Sequence, residues 1–275
     1  MPPYDEMAEA YARWWGPVIR PSAERVLDLI APQVRAALAS RTAPTLLDVG
    51  TGTGALAIAA LERWPTLQVT GVDPAGGMLE VARRHAAERL PARVARRFRT
   101  EVAPAEGMPF DAGAFDLAVS SFVLQLVPSR AAALREIRRV LRPSAPFGWV
   151  IWQRSDRLFA PDRIANEVLD EAGFDPPEPD PRPGDVASPA AAALAMRRAG
   201  FTGVRAHEDE VVHPWDARGY LAFLTEFDEA SLFGDLDGPE RAEIERDILT
   251  RLARLGEHEL TLRLPVVYAA GRARG

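Results

Sequence analysis

The stretch Leu46-Leu47-Asp48-Val49-Gly50-Thr51-Gly52-Thr53-Gly54 constrains this chain more than any other. A short apolar run reads as a buried strand, the glycine cluster as a tight turn, and Ala55–Arg63 as a helix. Glycine tolerates positive φ and lets backbone approach a ligand closely. A second strand over Leu67–Val72 runs into Asp73, 19 positions after Gly54. An acid there can accept hydrogen bonds from both hydroxyls of a ribose. In an open α/β sheet, ligands sit outside the carboxyl ends of the strands, where the strand order reverses. Loop and acid together predict a nucleoside-bearing ligand at that edge.

The rhythm continues along the chain. Helix is expected over Met78–Leu90 and Arg130–Leu141, and strand over Arg93–Glu101, Phe115–Ser120 and Phe147–Trp152. An earlier helix is read over Ser22–Leu38, with Val26, Leu27, Ile30, Val34 and Leu38 at helical spacing. Strands alternating with helices mean βαβ units with right-handed crossovers. After Trp152 come helices over Asp162–Ala172 and Ala190–Ala199, a proline-rich loop over Asp175–Asp185, and strands over Val204–Val212 and Leu260–Ala270. Between those strands Trp215–Leu255 holds two helical stretches, the second striped by Ile244, Ile248, Leu252 and Leu255. The expected fold is α/β: a Rossmann-like, doubly wound, mostly parallel seven-stranded sheet with helices on both faces and a small helical cap. It divides into an N-terminal helical arm or lid (1–40), a ligand-binding core (41–212), a helical cap insertion (213–258) and a last core strand with its tail (259–275).

Composition removes whole classes of chemistry. The 275 residues contain no cysteine, which excludes disulfides, thiolate metal sites and a cysteine nucleophile. Every one of the 33 basic residues is arginine. Neither a lysine Schiff base nor a P-loop lysine is possible. The net charge of −6 is a poor match to bulk nucleic acid. The basic cluster Arg83, Arg84, Arg89, Arg93, Arg96, Arg97 and Arg99 reads as a solvated face. No apolar run is long enough for a membrane helix and no signal peptide is visible, so the expected location is the cytoplasm. No His/Asp/Glu grouping has metal spacing, and no metal is expected.

Two ligands suit the glycine loop. Gly50-x-Gly52-x-x-Ala55 with Asp73 satisfies the dinucleotide fingerprint, which points to NAD and an oxidoreductase. Asp48 argues the other way. Its charge lies two residues before the first glycine and suits a cationic ligand better than a pyrophosphate.

Five ordered motifs over residues 44–152 resemble those of class I S-adenosylmethionine-dependent methyltransferases, in the small-molecule "type 11" branch. They are Asp48–Gly54, Val69–Leu79, Ala105–Phe110, Phe115–Ser120 and Glu136–Pro143. The resemblance implies S-adenosyl-L-methionine as cofactor and S-adenosyl-L-homocysteine as product. It implies a cofactor site of Asp48, Gly50, Thr51, Gly52, Gly54, Asp73 on the ribose, Pro74, Met78 beside the adenine, Ala105, Glu106 and Ser120. There are departures. Pro104 stands where the family often has an acid, Ser144-Ala145 replaces a Gly-Gly turn, and Leu124-Gln125-Leu126 replaces a histidine pair. The first leaves Glu106 or backbone to meet the adenine amino group.

Methyl transfer from a sulfonium is an in-line displacement, and alignment supplies most of the catalysis. A base is needed only where the nucleophile must lose a proton. The sequence announces none; of four histidines, only His213 lies near where an acceptor would enter. Tyr11, Trp14, Trp15, Gln125 and Trp215 are the expected lid and acceptor residues, and their aromatic character favours a flat or apolar small molecule. The arm is expected to fold over the cofactor, meet the cap and order on binding. A monomer or homodimer is expected. A cofactor-binding protein without turnover is the non-enzymatic alternative.

Overall fold

Strands form where apolar runs can be covered on both faces. β1 (Thr45–Val49), β2 (Gln68–Asp73), β3 (Phe98–Val102), β4 (Leu117–Ser121) and β5 (Pro146–Trp152) are parallel, β5 being buried throughout. Such continuous burial is what helices on both faces of a parallel sheet require. The computed structural model describes residues 4–41, 43–174 and 184–275. The proline-rich stretch expected as a loop lies outside these, apart from Gly184 and Asp185.

The sheet has seven strands in the order β3-β2-β1-β4-β5-β7-β6. β6 (Phe201–Pro214) and β7 (Thr261–Ala273) are longer than expected, and β7 runs antiparallel to both β5 and β6. The order reverses between β1 and β4, which opens the crevice at their carboxyl ends. One face carries α1 (Tyr4–Ser40), α2 (Ala55–Arg63) and α3 (Gly76–Arg89), through Val26, Ile30, Ile58 and Ala82 on Leu46, Val69 and Val119. After the short α4 (Ala92–Ala95), the other face carries α5 (Arg130–Val140), through Leu134 and Ile137, and, beyond α6 (Ala160–Glu171), α7 (Pro189–Arg198), through Met196.

Two further elements differ from the sequence reading. The first helix begins at Tyr4 rather than Ser22 and continues through Pro17, Pro21 and Pro32. Prolines read as stops because each removes a helix hydrogen bond; here Val18, Ile19, Ala23 and Val26 bury one continuous face that outweighs those losses. The third strand starts at Phe98, not Arg93, because Pro91 starts α4 in the arginine-rich stretch.

The cap is also larger than 213–258. It contains α8 (Ala217–Phe223), a π-helical turn (Leu224–Asp228), α9 (Ala230–Asp235), α10 (Gly238–Leu252) and α11 (Glu257–Leu260). α6 joins it, because Ile164, Val168 and Leu169 share a core with Tyr220, Phe233, Ile244, Ile248 and Leu252. No described helix is long and apolar enough to cross a membrane.

Ser144 explains the departure at the turn before β5. Its φ is +66°, a conformation that favours glycine. A left-handed residue costs roughly 1–2 kcal/mol, partly offset by glycine's larger unfolded-state entropy. Ser144→Gly should therefore raise Tm by about 2 °C. A fall in Tm by scanning calorimetry would contradict this account.

Candidate functional site

The glycine turn lies at the carboxyl end of β1, where the crevice opens. Gly50, Gly52 and Gly54 have φ of +68°, +51° and +83°. Each glycine has its own reason. A Cβ on Gly50 would lie 2.2 Å from Val123 Cγ2, and one on Gly54 would lie 3.0 Å from Ala82 Cβ. A Cβ on Gly52 would meet nothing within 4 Å and would project into open space, as a ligand cradle requires. Gly71 on β2 serves the same loop. A Cβ there would lie 2.6 Å from Thr51 Cγ2, so glycine lets Thr51 fold beneath the turn.

That fold brings the Thr51 hydroxyl to Asp48 Oδ2 at 2.8 Å. Asp48 is 1% exposed and its Oδ1 has no hydrogen-bond partner. Burial pushes the carboxyl up to about 7, opposed by the Thr51 hydrogen bond and reinforced by the charge of Asp73. Asp73 is held by two backbone donors. The Gly52 N–H donates to Oδ2 at 2.9 Å and the Ala75 N–H to Oδ1 at 3.0 Å. A carboxylate can accept several hydrogen bonds, as binding a ribose through its hydroxyls requires. A buried acid with one oxygen unsatisfied, a fixed acid and an open cradle suit a ligand carrying both a cation and a ribose.

The other expected cofactor residues surround this turn. Pro74 follows Asp73 at the strand end and is exposed. Met78, 3% exposed, packs with Ala8 and Val81, and Tyr11 rests against the same cluster. Ala105 is buried on the loop after β3. Glu106 accepts a hydrogen bond from Ser129 N at 3.2 Å, so its carboxylate is engaged at the start of α5. Ser120 donates to Val49 O at 2.8 Å and ties β4 to β1.

A cleft of about 1300 Å³ lies between the end of β5 and the cap, with Trp15, Trp152, Phe159, Trp215, Tyr220 and Phe223 in its walls. The expected acceptor residues converge here only in part. Trp15 packs between Trp152 and Phe223, with ring centroids 6.2 and 5.9 Å away, and Trp215 lies 5.1 Å from Phe223. Tyr11 meets Phe227 edge-on at 6.2 Å, and Trp14 Nε1 donates to Glu226 at 3.2 Å. Arm and cap are thus in contact. Gln125 turns inward, its Nε2 donating to Phe122 O at 2.7 Å. His213 is not among the cleft's lining residues; it packs edge-on to Trp215 at 4.4 Å, and burial lowers its pKa.

Sequence reasoning missed several cleft residues. Trp152 was findable, since the carboxyl end of β5 belongs to the ligand edge. Phe122 was not. It follows β4 with φ of +55°, rare for a bulky residue, and its ring lies 4.3 Å from Trp152. The π-helical turn was equally invisible. Glu229 N donates to Leu224 O at 2.8 Å, and the wider turn places Phe227, Asp228 and Glu229 together along the cleft.

Residues 46–144 match a family model described as a methyltransferase domain. Among curated proteins the chain is 31% identical to nocamycin O-methyltransferase from Saccharothrix syringae, over 98% of this chain and 97% of that one. It is 34% identical to malonyl-[acyl-carrier protein] O-methyltransferase from Geobacter sulfurreducens, over 64% of this chain and 62% of the relative. Among solved structures, the YcgJ protein of Bacillus subtilis superposes with a TM-score of 0.54 at 20% identity, covering 86% of this chain and 94% of that one. With similarity to a named methyltransferase along nearly its whole length, the chain belongs to the class I S-adenosylmethionine-dependent methyltransferases, and its cofactor is S-adenosylmethionine rather than a dinucleotide.

Proposed function

We propose that this enzyme transfers the methyl group of S-adenosylmethionine to an oxygen atom of a small molecule held in the cleft between β5 and the cap. The supporting observation is the end-to-end similarity to nocamycin O-methyltransferase, which includes the cap as well as the core. Asp48, Gly50, Thr51, Gly52 and Gly54 hold the methionine end of the cofactor. Asp73 and Pro74 hold its ribose, and Met78, Ala105 and Glu106 its adenine, with Ser120 fixing the strand beneath. The cofactor supplies an activated methyl group with its own leaving group. The aromatic wall formed by Trp15, Trp152, Trp215 and Phe223 aligns the acceptor and keeps out water, while Tyr11 and Trp14 close the margin where arm meets cap.

The test is turnover with a panel of enols, phenols and carboxylic acids, read as S-adenosylhomocysteine release and as a methylated product by mass spectrometry. Methylation at oxygen is expected. Products methylated only at nitrogen or carbon would refute the oxygen assignment.

Asp48 gives the reaction a pH signature. Its carboxyl, raised to about 7, stays largely protonated below that value in the ligand-free protein. Only the ionised form attracts a sulfonium. Affinity for S-adenosylmethionine relative to the neutral thioether S-adenosylhomocysteine should rise several-fold between about pH 6 and 8. The folded protein also holds a proton that the unfolded chain releases between about pH 4 and 7, so this group's contribution to stability falls as pH rises through that window. An affinity ratio flat with pH by calorimetry would refute the role of Asp48.

A further inference from the structure

The apolar run of β5, Pro146–Trp152, is buried throughout, and the chain then turns polar at Gln153. The carboxyl end of a parallel strand is where this fold places its ligands. Gln153 is braced there from both sides. Its N–H donates to Pro265 O on β7 at 2.9 Å. On the other side the chain runs beside Val186, whose N–H donates to Trp152 O at 3.1 Å and whose carbonyl accepts from the Arg154 N–H at 2.8 Å. With its backbone fixed on both edges, the side chain emerges at a set place in the cleft lining.

Gln153 Oε1 is shielded from solvent and has no hydrogen-bond partner among the described residues. Arg154, the adjacent donor, also lines the cleft and does not reach it. An oxygen left in that state costs about 1–3 kcal/mol, and folded proteins leave few of them. The terminal amide turns easily, because χ3 of glutamine is a broad torsion, so the oxygen can be presented to the cleft. Beside it stands the aromatic wall, with Phe122 4.3 Å and Trp15 6.2 Å from Trp152. A hydrogen-bonding group set against apolar walls fixes the orientation of what binds.

We propose that Gln153 selects the acceptor: its Oε1 accepts a hydrogen bond from an O–H or N–H that the acceptor carries in addition to the oxygen to be methylated. The acceptor is thus a largely apolar molecule with a second hydrogen-bond donor, its body lying against Trp15, Trp152 and Phe223. This rests on the cleft being the acceptor site of the methyltransferase described above. A carboxamide does not take up the proton that a reacting hydroxyl sheds, so Gln153 holds the acceptor and leaves its activation to other groups.

Three probes of similar shape test the proposal on the full chain saturated with S-adenosylhomocysteine, with equilibrium dialysis reading binding. 2-Naphthol donates and accepts, 2-methoxynaphthalene only accepts, and 2-methylnaphthalene does neither. In the parent, 2-naphthol should bind at least about fivefold tighter than 2-methoxynaphthalene. In Gln153→Leu, which fills the space without an acceptor, that ratio should fall to about twofold or less, with 2-methylnaphthalene binding at least as well as before. Gln153→Glu keeps an acceptor oxygen and should retain the preference, a rescue that a packing role would not give. A parent blind to the hydroxyl, no binding of any probe, a ratio unchanged in the Leu variant, or a Glu variant without the preference would overturn the proposal. The first comparison uses the parent alone, so it can overturn the proposal even where a variant fails to fold. Failure of S-adenosylhomocysteine itself to bind by calorimetry would strike at the methyltransferase reading, whereas a protein that holds it and ignores the hydroxyl overturns only the role of Gln153.

Discussion

Gly52→Val is expected to abolish measurable S-adenosylhomocysteine binding while leaving a folded protein. Gly52 has φ of +51°, and a Cβ there projects into open space rather than into the core. The core therefore has no clash to absorb. The conformational penalty for a β-branched residue is roughly 1–2 kcal/mol, a loss of a few degrees in Tm. The ligand fares worse. Two γ-methyl groups would occupy the cradle, and relief of the strained φ would turn the Gly52 N–H away from Asp73. A loss greater than about a hundredfold follows, more than about 2.7 kcal/mol. Calorimetry on a variant shown to be folded by circular dichroism checks it. Near-parental affinity would mean that the cofactor lies elsewhere.

Asp73→Ala should weaken S-adenosylhomocysteine by at least about a hundredfold. Hydrogen bonds from ribose hydroxyls to a charged acceptor are worth about 1.5–3 kcal/mol each. The structure adds a second loss. Asp73 also anchors the N–H groups of Gly52 and Ala75, so its removal frees the glycine turn and the start of α3 together. Asp73→Asn retains one acceptor oxygen and should fall between parent and Ala. A loss below threefold in the Ala variant would contradict both roles.

Much of this site could be read from the amino acids, because its constraints are local. Three glycines after a buried strand, and an acid at the next strand end, leave few backbone solutions. Asp48, two residues before the first glycine, is likewise placed beneath the turn by its spacing alone. What escaped depends on distant partners. Pro17 and Pro21 mark breaks in any local reading, yet α1 continues because its buried face is set by the sheet. α6 joins the cap only through residues some 55–85 positions further on, such as Tyr220 and Ile248. Phe122 adopts positive φ where nothing nearby in sequence demands it; the surroundings of Trp152 hold it there. The tie between Glu106 and Ser129 N, on a different element, was likewise not announced by local spacing.

The unbroken first helix changes how exchange at the cofactor site should proceed. A rod of 37 residues spans about 55 Å. Its midsection lies on β5, where a Cβ on Gly148 would be 3.1 Å from Ile30 Cγ2, while its first turns carry Ala8 onto Met78. The C-terminal part is thus anchored in the core, and the first turns rest on Met78, the proposed adenine contact. The arm was expected to order on binding, but such an arm has already lost its conformational freedom at folding, so affinity bears little further ordering cost. The burden shifts to kinetics. Entry and departure of the cofactor require the first turns to lift from Met78, as a stiff lever rather than a loose flap, and the proline positions are where that lever lacks backbone hydrogen bonds. Cofactor release and amide exchange over residues 6–16 should then share one rate.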